Sequence, residues 1–460
     1  MAGASASRDV ANVTMDMDDT EILRLNGLSG SNTLTVGDLS GTDLALVVYT
    51  GGTGPDTINA ALAFTDIQAT GGDDNDNFTT GAGADVLDGG AGNDTIIAGA
   101  GNDIIVGGAG ADALAGGAGD DIFRFFAGAE LVGGEVLAGQ NGIHDAVQLI
   151  NTGNIEFTAV TFGGIETVQF LAGNSSASFN AAQLGDIANV VGGAGVDRFI
   201  VNGSSMDLGG LAFSSWNAAV DQIILVGTAG NDNLAGTNLA DVFVSGLGAN
   251  VLNGRFGNDL YYLNDGSATI IDAGGLDTIV STITRSLAAL PAIERLVLGG
   301  TAAINGTGNN AANTLVGNAA ANILTGGLGA DILSGGNGND RLIGGVGIDT
   351  LTGGLNNDIF VFNAPLSALN RDIITDFNHV ADTFQLENGV MAALGAGVHA
   401  LSATMFRAGA AAADASDHVI YNQANGQLFY DSNGNGAGGV TLLAVLTNKP
   451  VLAANDFVVI

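Results

Sequence analysis

The residues in this chain whose type and spacing can do chemistry are aspartates recurring every ninth position. From Gly71 the chain divides without a gap into GGDDNDNFT, TGAGADVLD, GGAGNDTII, AGAGNDIIV, GGAGADALA and GGAGDDIFR. The sixth position is Asp each time: Asp76, Asp85, Asp94, Asp103, Asp112 and Asp121. Residues 308–361 return to the same register, with Asn313, Asn322, Asp331, Asp340, Asp349 and Asp358 at that position. A looser block from Gly227 supplies Asp232, Asp241, Asn250 and Asp259, then fades through 263–271 towards Asp277. Single copies stand at 51–59 (Asp56) and 192–200 (Asp197). Short carboxylates at fixed spacing can hold a hard cation, which takes six to eight oxygens in flexible geometry. The plainer reading is that Asp sits in these turns because Asx-turns favour it. Electrostatic repulsion weighs against that reading, since stacking the repeats places carboxylates in a ladder that needs a counter-ion.

The elements that position these aspartates follow from the other residues of the nonad. Gly pairs permit positive φ and close backbone approach, as a tight turn requires. The eighth position is large and apolar: Phe78, Leu87, Ile96, Ile105, Leu114 and Phe123. A stretch such as Thr95-Ile96-Ile97 reads as a short strand with its central side chain inward. A nonad is then a turn plus a strand, and two nonads close one flattened coil. Successive coils stack by parallel pairing about 4.8 Å apart. The fold expected is all-β, a parallel β-roll or β-solenoid of nonapeptide repeats with irregular β-rich segments and a C-terminal cap.

Composition narrows the alternatives. The chain has 460 residues with 74 Gly, 40 Asp, 7 Glu, a single Lys (Lys449) and no Cys, and its formal charge is −36. Such a charge argues against nucleic-acid binding and against an anionic membrane surface. The missing cysteines remove disulfide and thiolate-metal frameworks. Disorder is the first reading of high charge, yet 46% of residues are hydrophobic and mean hydropathy is +0.35, unlike a disordered chain. No apolar run reaches membrane-spanning length, and Gly389 to Phe406 reads as a globular helix pair. Met1 to Arg8 shows no basic stretch followed by an apolar core, so no Sec-type signal peptide is expected.

The pattern GGxGxDxUx, with U large and apolar, resembles the RTX (repeats-in-toxin) family of secreted calcium-binding β-rolls. The match is close at 71–124 and 326–361, fair at 227–280 and weak at 308–325. The stretch 358–386 resembles the family's cap after the last repeats, 418–446 the adjoining hairpin, and Asp456-Phe457-Val458-Val459-Ile460 the C-terminal signal read by type I (ABC) exporters. The resemblance implies calcium held between turns 18 residues apart, by backbone carbonyls and paired sixth-position carboxylates. The implied pairs are Asp76/Asp94, Asp85/Asp103, Asp94/Asp112, Asp103/Asp121, Asp331/Asp349, Asp340/Asp358, Asp241/Asp259 and Asp259/Asp277, with Asp232 a further ligand. Asn at 250, 313 and 322 implies weaker or empty turns, and Asp74 in place of Gly puts the Asp76 turn in question. About eight calcium ions would offset much of the charge, so binding is expected to drive folding.

The expected organisation is an N-terminal β-rich segment (1–70), a first repeat block (71–124), an interstitial β-rich segment of helical or sandwich rungs (125–226), a degenerate second block (227–280), a connection with one short helix or turn insertion (281–307), a third block (308–361) and a cap with the secretion signal (362–460). No catalytic constellation is legible. His144, His379, His399 and His418 form no H-E-x-x-H. Gly27-Leu28-Ser29-Gly30-Ser31 fails the nucleophile-elbow pattern at its last position. The run Asp431-x-Asn433-x-Asn435-Gly436 begins like an EF-hand loop, but position twelve is Leu442 rather than Glu. The expected protein is therefore not an enzyme. It is a secreted, extracellular calcium-binding protein, exported by a type I machinery, with a structural or interaction role at the cell surface or in the matrix. A surface-layer or adhesin-like role fits, with self-association or a cell-surface glycan as candidate partners and no membrane insertion. The alternative is the calcium-binding and export region of a larger secreted enzyme, of protease, lipase or epimerase type.

Overall fold

In a computed structural model of the protein, residues 4–8, 11–14, 21–126, 130–131, 133–150 and 153–460 are described, the first two stretches by backbone alone. The N-terminal reading of Met1 to Arg8 thus falls partly outside the described residues. The chain is all-β, 48% strand and 3% helix, and forms a parallel β-solenoid. It divides into two units, Met1–Val226 and Gly227–Ile460.

In the first unit strands alternate between two sheets as far as Ala146–Ile150, after which Gly153–Glu156, Ser175–Asn180, Asp197–Asn202 and Gln222–Val226 stack in a further one. Of the first two sheets, one carries Thr33–Val36, Thr57–Asn59, Asn77–Thr79, Thr95–Ala100, Ala113–Ala118, Val136–Gln140 and Thr161–Gly163 as successive neighbours. The other runs from Ile22–Asn26 to Ala212–Ser214 and includes Val86–Ala91, Ile104–Ala109 and Ile122–Phe125. Within the repeats, pairing is parallel and in register one coil apart, as in Thr95↔Ala113, Ile96↔Leu114 and Ile97↔Ala115. The segments on either side continue the same coils with longer turns. Ile122 pairs with Ala146 and Thr167 with Asn189, so 125–226 supplies helical rungs rather than a sandwich.

The second unit is built alike. Ile323–Leu328, Arg341–Val346, Ile359–Phe362 and Thr383–Leu386 stack in one sheet, while Thr314–Val316, Ile332–Asn337, Thr350–Leu355 and Asp372–Ile374 stack in another. The chain end joins both. Val440–Leu446 pairs parallel with Asp372–Ile374, and Phe457–Val459 pairs parallel with Thr383–Leu386. Val419–Asn422 and Gln427–Asp431 form the antiparallel hairpin.

The core is a file of single side chains. Phe78, Leu87, Ile96, Ile105, Leu114 and Phe123 are all at most 1% exposed, and Leu324, Leu333, Leu342, Leu351 and Phe360 are fully buried. Each contributes about 1.5–3 kcal/mol of apolar burial, and together they fix which face of every strand is inward.

Of the helix or turn expected in 281–305 it is the turn that forms, and the helix pair expected between Gly389 and Phe406 does not form. In 281–305 the chain makes the strand Arg285–Ser286 and turns before Arg295–Leu298. Its amides are committed to the next rung, since Arg285 N–H donates to the Asn305 carbonyl and Leu287 N–H to that of Thr307. Between Gly389 and Phe406 only the 3-10 turn Ala392–Leu394 appears. Gly395 and Gly397 at φ 91 and 86 break it, a conformation glycine adopts without strain, and His399–Ala400 then pairs with the C-terminal strand.

Candidate metal centre

Each sixth-position aspartate turns its carboxylate along the stack. The Asp76 N–H donates to Asp94 Oδ1 at 2.8 Å and Asp94 N–H to Asp112 Oδ1 at 2.8 Å. On the opposite edge Asp85 donates to Asp103 at 2.7 Å and Asp103 to Asp121 at 2.9 Å. The second unit repeats this from Asp331 to Asp349 at 2.8 Å and from Asp340 to Asp358 at 2.9 Å. Asp241, Asp259 and Asp277 form a shorter ladder, at 2.9 and 2.8 Å. The pairs expected 18 residues apart are therefore joined by one oxygen of each carboxylate.

The other oxygen has nothing. Oδ2 of Asp76, Asp85, Asp94, Asp103, Asp112, Asp121, Asp259, Asp277, Asp331, Asp340, Asp349 and Asp358 is buried and accepts no hydrogen bond. A buried, partnerless carboxylate oxygen is costly unless something neutralises it. Its surroundings are oxygens too. A Cβ built on Gly89 would lie 2.3 Å from Asp94 Oδ2 and 2.7 Å from the Gly107 carbonyl, and one on Gly326 2.4 Å from Asp331 Oδ2 and 2.5 Å from the Gly344 carbonyl. Glycine lines this cradle in most of the open turns, while Thr80, Ala98 and Asp272 hold the same position before Asp85, Asp103 and Asp277. Carboxylate and carbonyl oxygens converging without a donor are the ligand set of a hard cation such as calcium. At the Asp76 turn, Asp74 takes φ 73 and keeps the backbone of the glycine it replaces.

Burial raises the affinity of these carboxylates for protons. It pushes Asp94, Asp103, Asp331 and Asp358 up to about 7 and Asp76, Asp85 and Asp340 to about 6. Neighbouring carboxylates add to the effect, as Asp85 and Asp121 do on Asp103. Asp112, Asp121 and Asp349 are raised by burial as well. No positive side chain relieves them: among the described residues the one ion pair is His144 with Asp120, at 3.3 Å on the surface.

A model of the RTX calcium-binding nonapeptide repeat, four copies long, matches residues 70–105, 88–123, 235–270, 307–342 and 334–364, about a third of the chain. The chain carries RTX calcium-binding nonapeptide repeats. No curated protein matches it. Proteins with RTX repeats are typically secreted, and among the described residues no helix is long and apolar enough to cross a membrane.

Not every repeat turn is open. Asp241 accepts the Thr237 N–H at 2.6 Å and the Thr237 hydroxyl at 3.1 Å, and Asp232 accepts the Thr228 N–H at 2.9 Å and hydroxyl at 2.7 Å. Asn313 and Asn322 likewise accept the N–H of Asn309 and Asn318 at 2.7 and 2.9 Å. In these closed turns a Thr or Asn holds the second position of the nonad. In the fully matching turns it is a glycine at φ near +100, such as Gly90 or Gly345. Thr or Asn at the second position, ignored in reading the sequence, therefore marks these closed turns, while the open turns carry glycine there or, before Asp259 and Asp277, Arg255 and Ala273. It sets Asp232 and Asp241 apart from the other aspartates expected to hold metal.

The ladder also runs past the RTX matches. Asp121 N–H donates to Asp145 Oδ1 at 2.8 Å, and Asp145 is fully buried with a partnerless Oδ2 and a pKa pushed up to about 6 by burial. Asp349 and Asp358 donate in the same way to Asp372 and Asp382, at 3.2 and 2.9 Å. These coils contain extra residues, so the nine-residue period loses them; at Asp145 the surviving signal is Gly139 and Gly142 spaced before it. The Asp431 turn closes on itself, with Asn433 N–H donating to Asp431 Oδ1 at 3.1 Å. His399 and His418 rest against backbone carbonyls.

Proposed function

We propose that the chain is a secreted, non-enzymatic protein that folds on calcium after type I export and then serves a structural or interaction role at the cell surface or in the matrix. The observation carrying this reading is the file of buried, partnerless Oδ2 atoms, most of them facing oxygen cradles that a glycine lines. We assign calcium to the open turns of Asp76, Asp85, Asp94, Asp103, Asp112, Asp121, Asp259, Asp277, Asp331, Asp340, Asp349 and Asp358. Asp232 and Asp241 stay with their threonines. Without a cation, close-set carboxylates oppose the coil; with one, the same oxygens tie adjacent turns together, and binding free energy becomes folding free energy. Such a chain stays unfolded for export where calcium is scarce and folds where it is millimolar. The acidic coils presented afterwards suit self-association through bridging cations or contact with a surface glycan.

The test is a calcium titration of chelator-treated protein followed by far-UV circular dichroism and light scattering. A cooperative gain of β-signal at about 0.1–1 mM calcium, absent with magnesium, is the expected result. Scattering that rises with it supports self-assembly. A full β-spectrum before calcium is added, unchanged afterwards, would refute calcium-driven folding.

A further inference from the structure

Two departures from the repeat meet in the second unit. Tyr261 occupies the eighth position of nonad 254–262, where the regular repeats place Leu, Ile or Phe. Its ring is fully buried and stacked on Phe243 at 4.9 Å, yet its hydroxyl leaves the core file to donate to Asp272 Oδ2. Asp272 stands at the first position of its nonad, where most repeats have Gly. A carboxylate has thus replaced the residue that lines the cradle. A Cβ on Gly254 would lie 2.1 Å from Asp259 Oδ2 and 2.8 Å from Asp272 Oδ2. Beside Gly89 the second of those places belongs to a backbone carbonyl, that of Gly107.

Asp259, Asp272 and Asp277 bring one carboxylate oxygen each to within 4.8 Å of one another, the one such group of three among the described residues. The cluster does not stand on acidity alone. Asp259 and Asp277 are 1% and 0% exposed, and their Oδ2 atoms accept no hydrogen bond. Their Oδ1 atoms are engaged by the N–H groups of Asp241 and Asp259, which fixes both carboxylates in the site. Asp272 is half-buried, its Oδ1 held by the Gly274 N–H at 3.0 Å, and so leaves a way in from solvent. Satisfying the Tyr261 hydroxyl needs only one carboxylate. It does not explain why two further buried carboxylates abut the first.

We propose that Asp259, Asp272 and Asp277 form a three-carboxylate cation site with a ligand set unlike that of the repeat turns, and that it binds more tightly than any of them. The inference rests on the calcium reading of the Asp259 and Asp277 turns and adds to that pair a third carboxylate, Asp272, that the repeat pattern does not contain. Affinity in oxygen-ligand sites rises with ligand charge and rigidity, and here the charge is three with two of the carboxylates locked. The same features favour trivalent lanthanides, and Tyr261 sits close enough to sensitise their emission.

Terbium titration of the full chain, excited in the tyrosine band and paired with direct metal counting, tests the site. The first equivalent should give tyrosine-sensitised emission. Asp272→Asn keeps an acceptor for the Tyr261 hydroxyl but should weaken that first equivalent on the order of ten- to a hundredfold and leave the later ones unchanged. Tyr261→Phe should remove the emission of the first equivalent while the metal count stays. A first equivalent unaltered in Asp272→Asn would overturn the proposal, since Asp272 would then serve the tyrosine alone. A wild-type chain that binds neither terbium nor calcium would overturn the calcium reading of the whole protein, which is a separate result.

Discussion

Replacing Asp103 by Asn should act with opposite sign in the presence and absence of calcium. Asp103 is fully buried, its Oδ1 accepts the Asp85 N–H at 2.7 Å, and its Oδ2 has no partner. Asparagine can keep the first bond through its own Oδ1, so the turn survives. What disappears is the charge. Raising a carboxyl from an ordinary 3.8 to about 7 costs the metal-free fold on the order of 4 kcal/mol above pH 7. Water screening at the open turn reduces this to about 2 kcal/mol. In chelator, Asp103→Asn should therefore stabilise the fold by about 2 kcal/mol. In calcium the sign reverses, because Asp103 serves the turns shared with both Asp85 and Asp121. Each site lost removes about 2.7 kcal/mol when calcium stands at a hundred times its dissociation constant. Urea unfolding by circular dichroism in both buffers, with calcium counted by calorimetry, reads both effects. Asp241→Asn is the control, since Thr237 already satisfies that carboxylate, and it should leave the calcium count unchanged. If Asp103→Asn destabilises by the same amount in chelator and in calcium, the aspartate is an ordinary turn residue and the cation reasoning fails.

The raised carboxyl pKa values also set a pH dependence. A carboxyl whose folded pKa lies above its unfolded value binds protons preferentially in the fold, so metal-free stability falls as pH rises between the two values. With Asp94, Asp103, Asp331 and Asp358 near 7, chelated protein should gain β-signal as pH drops from about 8 to about 5, while calcium affinity weakens over the same range; circular dichroism and calorimetry across that window check both. Gly89→Ala should weaken calcium binding at the Asp94 turn without abolishing it, because its methyl would crowd the cradle 2.3 Å from Asp94 Oδ2 whereas Ala98 already holds the equivalent place before Asp103; ion counting and unfolding in calcium will show it. Asn356→Gly should raise stability by up to about 1 kcal/mol, since Asn356 is held at φ 84; unfolding that shows no gain would mean its side chain compensates the strain.

The regular coils were legible in the sequence because a nine-residue period carries three independent signals at once. Glycine marks the turn, the eighth side chain marks the core, and the sixth marks the ladder, so Phe78 to Phe123 and Asp76 to Asp121 fall into place together. Rungs such as those of Val147 and Val190, both fully buried, kept the strand but lost the period. Their turns hold extra residues that no fixed spacing predicts, and Asp145 was missed for that reason. At 281–305 the sequence left helix and turn open, since Ala and Leu favour helix locally, and pairing with the neighbouring rung claims the backbone for the turn. The candidate site was legible as a set of sixth-position residues but not as two kinds of turn. Whether these carboxylates and amides are satisfied depends on the N–H donated by a second-position Thr or Asn, as Thr237 donates to Asp241 and Asn309 to Asn313, a contact that spacing does not show.

The closed turns give the open ones something to stack on. Asn309, Asn313, Asn318 and Asn322 complete their own hydrogen bonds without a cation, and their Nδ2 groups donate to backbone carbonyls of the preceding coil, as Asn313 does to Ile293 and Asn322 to Ile304. A neutral amide there carries no repulsion, so these coils do not need metal to close. The first carboxylates that follow them are then engaged from the closed side, because the N–H groups of Asn313 and Asn322 donate to Asp331 Oδ1 at 2.7 Å and Asp340 Oδ1 at 2.8 Å. Parallel coils are slow to nucleate, since each contact must close a long loop before it is repaid. A metal-independent start adjoining metal-dependent coils removes that step for the third block. Asparagine in a repeat whose pattern asks for aspartate is therefore a structural alternative to the cation. On the calcium-driven folding proposed above, the mixture of the two lets the asparagine coils close first and leaves the aspartate coils that follow to close on the cation.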